Sequence, residues 1–333
     1  MFCNCETYFL VYNSNMKVVI IGKGLMLSNM ILGAVDSGAK IVGVLRYETT
    51  TSNRILQNLR DLLNPSYEYT LMKQLKIKNL DFKSVNSEGF RQFLIKNNID
   101  MLLVGTWREK ISPQTFNIPT IGTVNVHPSL LPKYRGPNPY LQTILNGEEF
   151  SGVTLHLVDS GYDTGAILLQ EKVKILPTDT SKELRERTVL SARKLVSQLF
   201  NELNSNIITP IKQIEAKATY YKNITGLEKM LDFSTQTADE ISRTVRALHP
   251  FLPCYITHKS MFFVVNPYKI EILEGKFTQN KPNDIISKSS REKSLTIVCK
   301  DQKVIKFSDL MLYKGKFLTE FYINNRVKTI FEQ

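Results

Sequence analysis

A chain of 333 residues, 42% hydrophobic and 22% charged, is long enough for two ordinary cores and has the balance of a globular protein. Its 43 Lys and Arg against 31 Asp and Glu give a net charge of +12 and a pI near 9.4, which favours an anionic partner such as nucleic acid, a nucleotide or a polyanionic cofactor. Four cysteines (Cys3, Cys5, Cys254, Cys299) make no disulfide framework, and no apolar run approaches the ~18 residues of a membrane span, so a reduced, cytoplasmic setting is expected.

In chain order, residues 1–15 hold neither the basic start of a signal peptide nor the arginines of a transit peptide, and read as an extension ahead of Met16. Cys3-x-Cys5 lacks a second ligand pair, so no metal site is expected. Lys17–Ile21, a helical pattern over Leu25–Val35 and Lys40–Leu45 follow in β-α-β order, which predicts parallel strands. Gly22-x-Gly24 lacks the third glycine and the later acidic residue of a dinucleotide site: position 27 is Leu and the second strand ends in Arg46. These glycines are expected to turn the strand tightly into the helix.

Helices are predicted at Asn53–Leu63, with its leucines on one side, and at Glu88–Asn97. Strands are predicted at Met101–Val104, Thr123–His127, Val153–Val158 and Ala166–Val173. Ser181–Asn204 reads as a long amphipathic helix with candidate N-caps at Asp179, Thr180 and Ser181. Residues 16–205 therefore form a doubly wound, Rossmann-like α/β domain. Residues 206–232 read as a linker that wraps it.

Thr237–Leu248 is a capped helix, and the short strands after it, at Cys254–His258, Met261–Val265, Lys269–Leu273, Leu295–Cys299 and Val304–Phe307, predict a small β-barrel over 233–333. Within it, Lys276–Lys316 carries a net charge of +6. That segment is either an anion-binding surface or a lysine-protected barrel edge.

The stretch TVNVHPSLLPKYRGPNPY, Thr123–Tyr140, departs from generic core. In a strand, residues i and i+2 share a face, so Asn125 and His127 project together while Val124 and Val126 pack behind. The pair lies at the carboxyl end of a strand, where open α/β sheets bind ligands. Asp163, in the glycine-bounded loop between the fifth and sixth strands, can join them. An amide N–H suits an oxygen gaining charge, an imidazole moves a proton near neutrality, and a carboxylate stabilises the imidazolium. No serine or cysteine nucleophile is implied, so the set fits attack by an external amine on a small carbonyl. His156 shares a face with Thr154 and Val158 and could approach this group, but core is the expectation for it. His258 is expected at the surface.

Asn125-x-His127-Pro-Ser-Leu-Leu-Pro132-x-Tyr-Arg135-Gly136, then Gly152-Val-Thr-Leu-His, then Asp163-Thr-Gly165, resembles the folate-dependent formyltransferase family over most of residues 16–205. The resemblance implies the formyltransferase fold and 10-formyltetrahydrofolate as formyl donor and co-substrate. It implies that Asn125 binds the formyl oxygen, that His127 stabilises or protonates the intermediate, and that Asp163 shuttles the amine's proton through water. It also implies a pterin pocket from Gly105, Thr106 and Trp107 and from Leu157, Val158, Asp159 and Gly161, with Ser129, Leu130 and Arg135 on the acceptor side.

Arg246–Tyr255 resembles the opening of the OB-like barrel of methionyl-tRNA formyltransferases, which implies initiator tRNA as the anionic acceptor. A similar barrel occurs in enzymes that formylate nucleotide-linked amino sugars, and this acceptor stays open. Two features favour it: Arg46–Asn53 lacks a basic, glycine-rich insertion, and the loop continues Arg135-Gly-Pro-Asn-Pro-Tyr140. A hydrolytic or merely folate-binding relative is the third reading. Oligomeric state is not legible in the sequence.

Overall fold

Four consecutive apolar residues, Val18–Ile21, are tolerated in a strand only if both of its faces are covered. The computed structural model shows this arrangement. It describes residues 16–47, 61–205, 207–222, 231–258, 261–275 and 277–312. β1 (Lys17–Gly22) is central in a six-stranded sheet with β2 (Lys40–Arg46), β3 (Met101–Gly105), β4 (Gly122–His127), β5 (Phe150–Leu157) and β6 (Ile167–Lys174). The order is β2-β1-β3-β4-β5-β6. β1 pairs in parallel with β2 and β3, β3 with β4, and β5 runs antiparallel to β4.

Val18 and Ile20 enter one core, packed with α1 (Gly24–Asp36) and with the Val189–Leu203 face of a long helix. Val19 and Ile21 enter the other, against Phe90 and Leu94 of α3 (Glu88–Lys96). The sheet is thus covered on both sides, as a doubly wound domain requires.

The glycines after β1 act through close approach. A Cβ on Gly22 would lie 2.4 Å from the Gly105 carbonyl, and Gly24 opens α1 at φ +58°.

The structure adds elements not expected from periodicity: α2 (Tyr67–Gln74), the short α4 (Pro113–Phe116) and α5 (Pro139–Leu145). α5 begins inside the proline-rich loop, because Pro139 is at the first helical turn, where a missing N–H costs nothing. The predicted helix at Asn53–Leu63 lies largely outside the described residues. Its last residues, Leu62 and Leu63, are 74% and 80% exposed and do not join an apolar face. Residues 1–15, with Cys3 and Cys5, lie outside the described residues, as does the His258 side chain.

α6 (Ser181–Asn204) is capped by Thr180, whose hydroxyl accepts from the Lys182 N–H at 3.2 Å while Glu183 accepts from the Thr180 N–H at 2.9 Å.

The chain forms two compact units that interleave along the sequence: Met1–Gly136, Ser151–Val173 and Glu186–Tyr220 in one, and Pro137–Phe150, Lys174–Arg185 and Tyr221–Gln333 in the other. A single division near residue 205 misses this because of α7 (Ala238–Leu248). Arg243 donates to the Leu145 carbonyl, Arg246 to the Asp179 carbonyl and Ser181 Oγ to the Ala247 carbonyl, which draws two early segments into the second unit.

α7 starts with a Thr237/Glu240 capping box. After it, β7 (Tyr255–His258), β8 (Met261–Val264), β9 (Ile270–Leu273), β10 (Ile285–Ser289), β11 (Ser294–Val298), β12 (Val304–Phe307) and β13 (Met311–Leu312) form two antiparallel sheets, β10-β11-β12-β9 and β13-β8-β7. This is a small barrel-like domain. β10 and β13 lie outside the predicted strands.

Candidate active site

β4 delivers Asn125 and His127 to one face, with Val124 and Val126 in the core behind. β5 supplies the cross-strand partners: His156 lies opposite Asn125, and Thr154 opposite His127. Thr154 Oγ1 donates to the Ser129 carbonyl at 2.6 Å and accepts from the Leu131 N–H at 3.1 Å. Gln170 of β6 donates to both the Leu131 carbonyl and Thr154. The SLLP loop is thereby bonded to two strands of the sheet.

The acid comes from the β5–β6 loop. Asp163 has φ +57°, and the next glycine, Gly165, passes so close to Leu157 that a Cβ would lie 1.8 Å from its carbonyl oxygen. The three groups meet here. Asn125 Nδ2 is 3.4 Å from Asp163 Oδ1, and His127 Nδ1 is 3.5 Å from the same oxygen. Gly136 N–H donates to Asp163 Oδ2 at 2.9 Å.

Hydrogen bonding fixes the orientations. His127 Nε2 lies 2.9 Å from the Tyr134 carbonyl, which only accepts, so Nε2 carries the proton and Nδ1 faces the carboxylate. His156 Nδ1 likewise donates to the Leu157 carbonyl at 2.8 Å. Its Nε2 then accepts from Asn125 Nδ2 at 3.1 Å. The Asn125 amide is therefore held with its NH2 group toward His156 and Asp163. The bond to Asp163 is the longer one, and its N–H is the one an incoming oxygen can capture.

Burial, at 5% exposure, lowers the pKa of His127 below the ordinary histidine value, although Asp163 and the Tyr134 carbonyl act in the opposite direction. Burial pushes Asp163 upward, but His127, His156 and the Gly136 N–H outweigh it and hold the carboxylate well below its usual range. The resting centre has an ionised acid beside an imidazole with a free lone pair.

Beside it opens a pocket of about 560 Å³, part of it open to solvent. Of the residues expected to bind a ligand, Trp107, Val158, Asp159 and Gly161 line it, as do Asn125 and Asp163. Gly105 is instead packed against Met26 and Met30. Thr106 and Leu157 are not among the lining residues, and Leu157 contributes its carbonyl to His156.

Ser129 and Arg135, expected on the acceptor side, are buried with their polar groups engaged internally. Ser129 Oγ donates to the Lys133 carbonyl, and the Arg135 guanidinium donates to Gln213 and Glu215. Leu130 packs where a Cβ on Gly152 would lie 2.3 Å from its Cδ2.

Sequence reasoning missed the far wall, Arg108–Ile111 and Tyr162. Glu109 anchors that wall by accepting from the Val85 N–H and from Asn86. Lys110 Nζ lies 4.7 Å from the Tyr162 ring centroid, across the pocket. His156, expected in the core though able to approach the site, is buried at 2% exposure and also lines the pocket, on the face that it shares with Thr154 along β5. The Trp107 indole N–H is buried and has no hydrogen-bond partner among the described residues, which leaves a donor for a ligand. Among the described residues no cluster of His, Cys, Asp and Glu could hold a metal, and no helix is long and apolar enough to cross a membrane.

Residues 16–199 match the Formyl transferase family. The chain is 28% identical to a methionyl-tRNA formyltransferase of Halothermothrix orenii, over 80% of this chain and 84% of that one. It is 30% identical to a methionyl-tRNA formyltransferase of Caldanaerobacter subterraneus subsp. tengcongensis, over 75% and 79%. Among solved structures, its fold is similar to that of WlaRD, a sugar 3N-formyl transferase crystallised with dTDP and 5-N-formyl-THF. The TM-score is 0.63 at 20% identity, covering 89% of this chain and 98% of that one. An N-formyltransferase from Helicobacter canadensis, in complex with folinic acid and dTDP-3-aminofucose, gives 0.61 at 19% identity, over 90% and 100%.

Proposed function

This chain belongs to the formyl transferase family, and from that premise we propose that it moves the formyl group of 10-formyltetrahydrofolate onto the α-amino group of methionyl-tRNA. The observation that carries the reading is the meeting of Asn125, His127 and Asp163 around one carboxylate oxygen at the edge of an open pocket. The pocket suits the folate: the Trp107 indole N–H has no partner among the described residues, and Arg108 and Lys110 bring positive charge to the wall.

In this reading each residue of the centre has one role. Asn125 turns its weaker N–H from Asp163 to the formyl oxygen as that oxygen gains negative charge. His127 Nδ1, with its lone pair, takes the proton the attacking amine releases and returns it to the departing nitrogen. Asp163 stabilises the imidazolium in between. Leu130, on the SLLP loop, is read as part of the acceptor side.

The high net charge favours the tRNA as acceptor. A nucleotide-linked amino sugar is the second reading, favoured by the absence of a basic, glycine-rich insertion at Arg46–Asn53. The test is competition. The protein is given 10-formyltetrahydrofolate with charged initiator tRNA and with dTDP- and UDP-amino sugars, and products are weighed by mass spectrometry. Formyl-methionyl-tRNA is expected, with binding that weakens steeply as salt rises. Formylation of a sugar alone would overturn the tRNA reading.

A further inference from the structure

Asp163 presents its carboxylate from a backbone in the left-handed region that favours glycine, so neighbouring structure must hold it there. The bonds that do so form a closed ring. Gln213 Nε2 donates to the Asp163 carbonyl at 2.9 Å and to the Gly165 carbonyl at 2.7 Å. Gln213 Oε1 accepts from Arg135 Nε at 3.3 Å and Nη2 at 3.0 Å. A guanidinium only donates, so Oε1 must face Arg135 and the NH2 group must face the Asp163 loop. Arg135 is in turn flanked by two residues that touch the centre: Tyr134 accepts from His127, and Gly136 donates to Asp163. Arg135 and Gln213 are 5% and 8% exposed, and Arg135 N–H is tied to the Thr219 carbonyl at 2.9 Å.

We propose that Arg135 and Gln213 are a positioning pair for formyl transfer: Gln213 clasps the backbone of the Asp163 loop, and Arg135 sets which way the Gln213 amide points. The pair touches no substrate and acts through the seat of the Asp163 carboxylate. The inference rests on the reading of Asp163 as part of the transfer centre.

The test uses the full chain with 10-formyltetrahydrofolate and the acceptor it formylates. In Gln213→Leu, kcat is expected to fall about tenfold or more with KM for the folate donor within about twofold, and the acid limb of the kcat–pH profile moves down, because a displaced Asp163 carboxylate no longer raises the pKa of His127. Gln213→Glu keeps the acceptor for Arg135 but lacks the NH2 donors, and is expected to be as slow. Arg135→Lys, which can still donate to Gln213 Oε1, is expected to recover part of the kcat lost in Arg135→Met. If Arg135→Met does not fold, the Gln213 variants carry the test at the other end of the pair. Gln213 variants with normal kcat and an unmoved pH profile would overturn the proposal. Asp163→Asn, measured alongside, separates the two claims: normal turnover there would overturn the reading of the centre itself, whatever the Gln213 variants do.

Discussion

At the scale of single residues, the proposed centre has its side chains oriented by backbone carbonyls that only accept: Tyr134 for His127, and Leu157 for His156, which in turn orients Asn125. Removing the fixed donor or the proton carrier is costly, so Asn125→Ala, His127→Ala and Asp163→Ala are each expected to lower turnover by about 10² or more in steady-state assays. His156 offers a finer test of orientation. His156→Gln retains an acceptor for Asn125, whereas His156→Asn retains only the donor for the Leu157 carbonyl. Comparable melting temperatures are expected for the two, but a kcat roughly tenfold lower for the Asn variant. Equal kcat values would remove His156 from the account. The titration of His127 gives a further check. Its carboxylate neighbour raises a pKa that burial lowers, so in Asp163→Asn the NMR-observed titration of His127 should move further down, not up.

At the scale of elements, much of the site was legible because it is written at strand spacing. Asn125 and His127 at i and i+2 share a face by the geometry of any strand, and β4 ends where they are needed. The loop after β5 was legible through its glycines, and Gly165 shows why: Gly165→Ala is expected to expel the loop from Leu157, lowering both melting temperature and turnover. Gln213 was not legible, because nothing in its neighbours marks a segment of irregular backbone as bonded to Asp163, 50 residues earlier in the chain. Arg135 misled for a related reason. A basic residue beside a catalytic loop reads as a substrate contact, and only the fold shows its charge met by Glu215 and its donors by Gln213. α5 was missed because its proline-rich start reads as loop, and α2 because tertiary packing overrides its weak periodicity.

At the scale of the whole molecule, the histidines and carboxylates with shifted pKa values favour neutral over acid conditions. His127 and His249 have pKa values lowered in the folded state, so the unfolded chain takes up their protons first, and stability falls as pH drops through about 6.5. Asp163 and Glu183 are lowered too, Glu183 to about 2 through Thr180 and Tyr268, which outweigh its burial. Their contribution is present above the ordinary carboxylate range and is lost as pH falls below about 4.5. Thermal melts are therefore expected to be flat between about pH 7 and pH 8 and to decline in two stages toward acid. A melting temperature that rises between pH 7 and pH 5 would contradict these burial assignments.

The most direct measurement is a single-turnover rapid quench with 10-formyltetrahydrofolate labelled in its formyl carbon and methionyl-tRNA as acceptor. The account predicts that the label moves to the α-amino group of the methionyl-tRNA, and that this step slows by about 10² in Asp163→Asn with donor binding retained. Label released as formate, or a transfer step unchanged in Asp163→Asn, would contradict it.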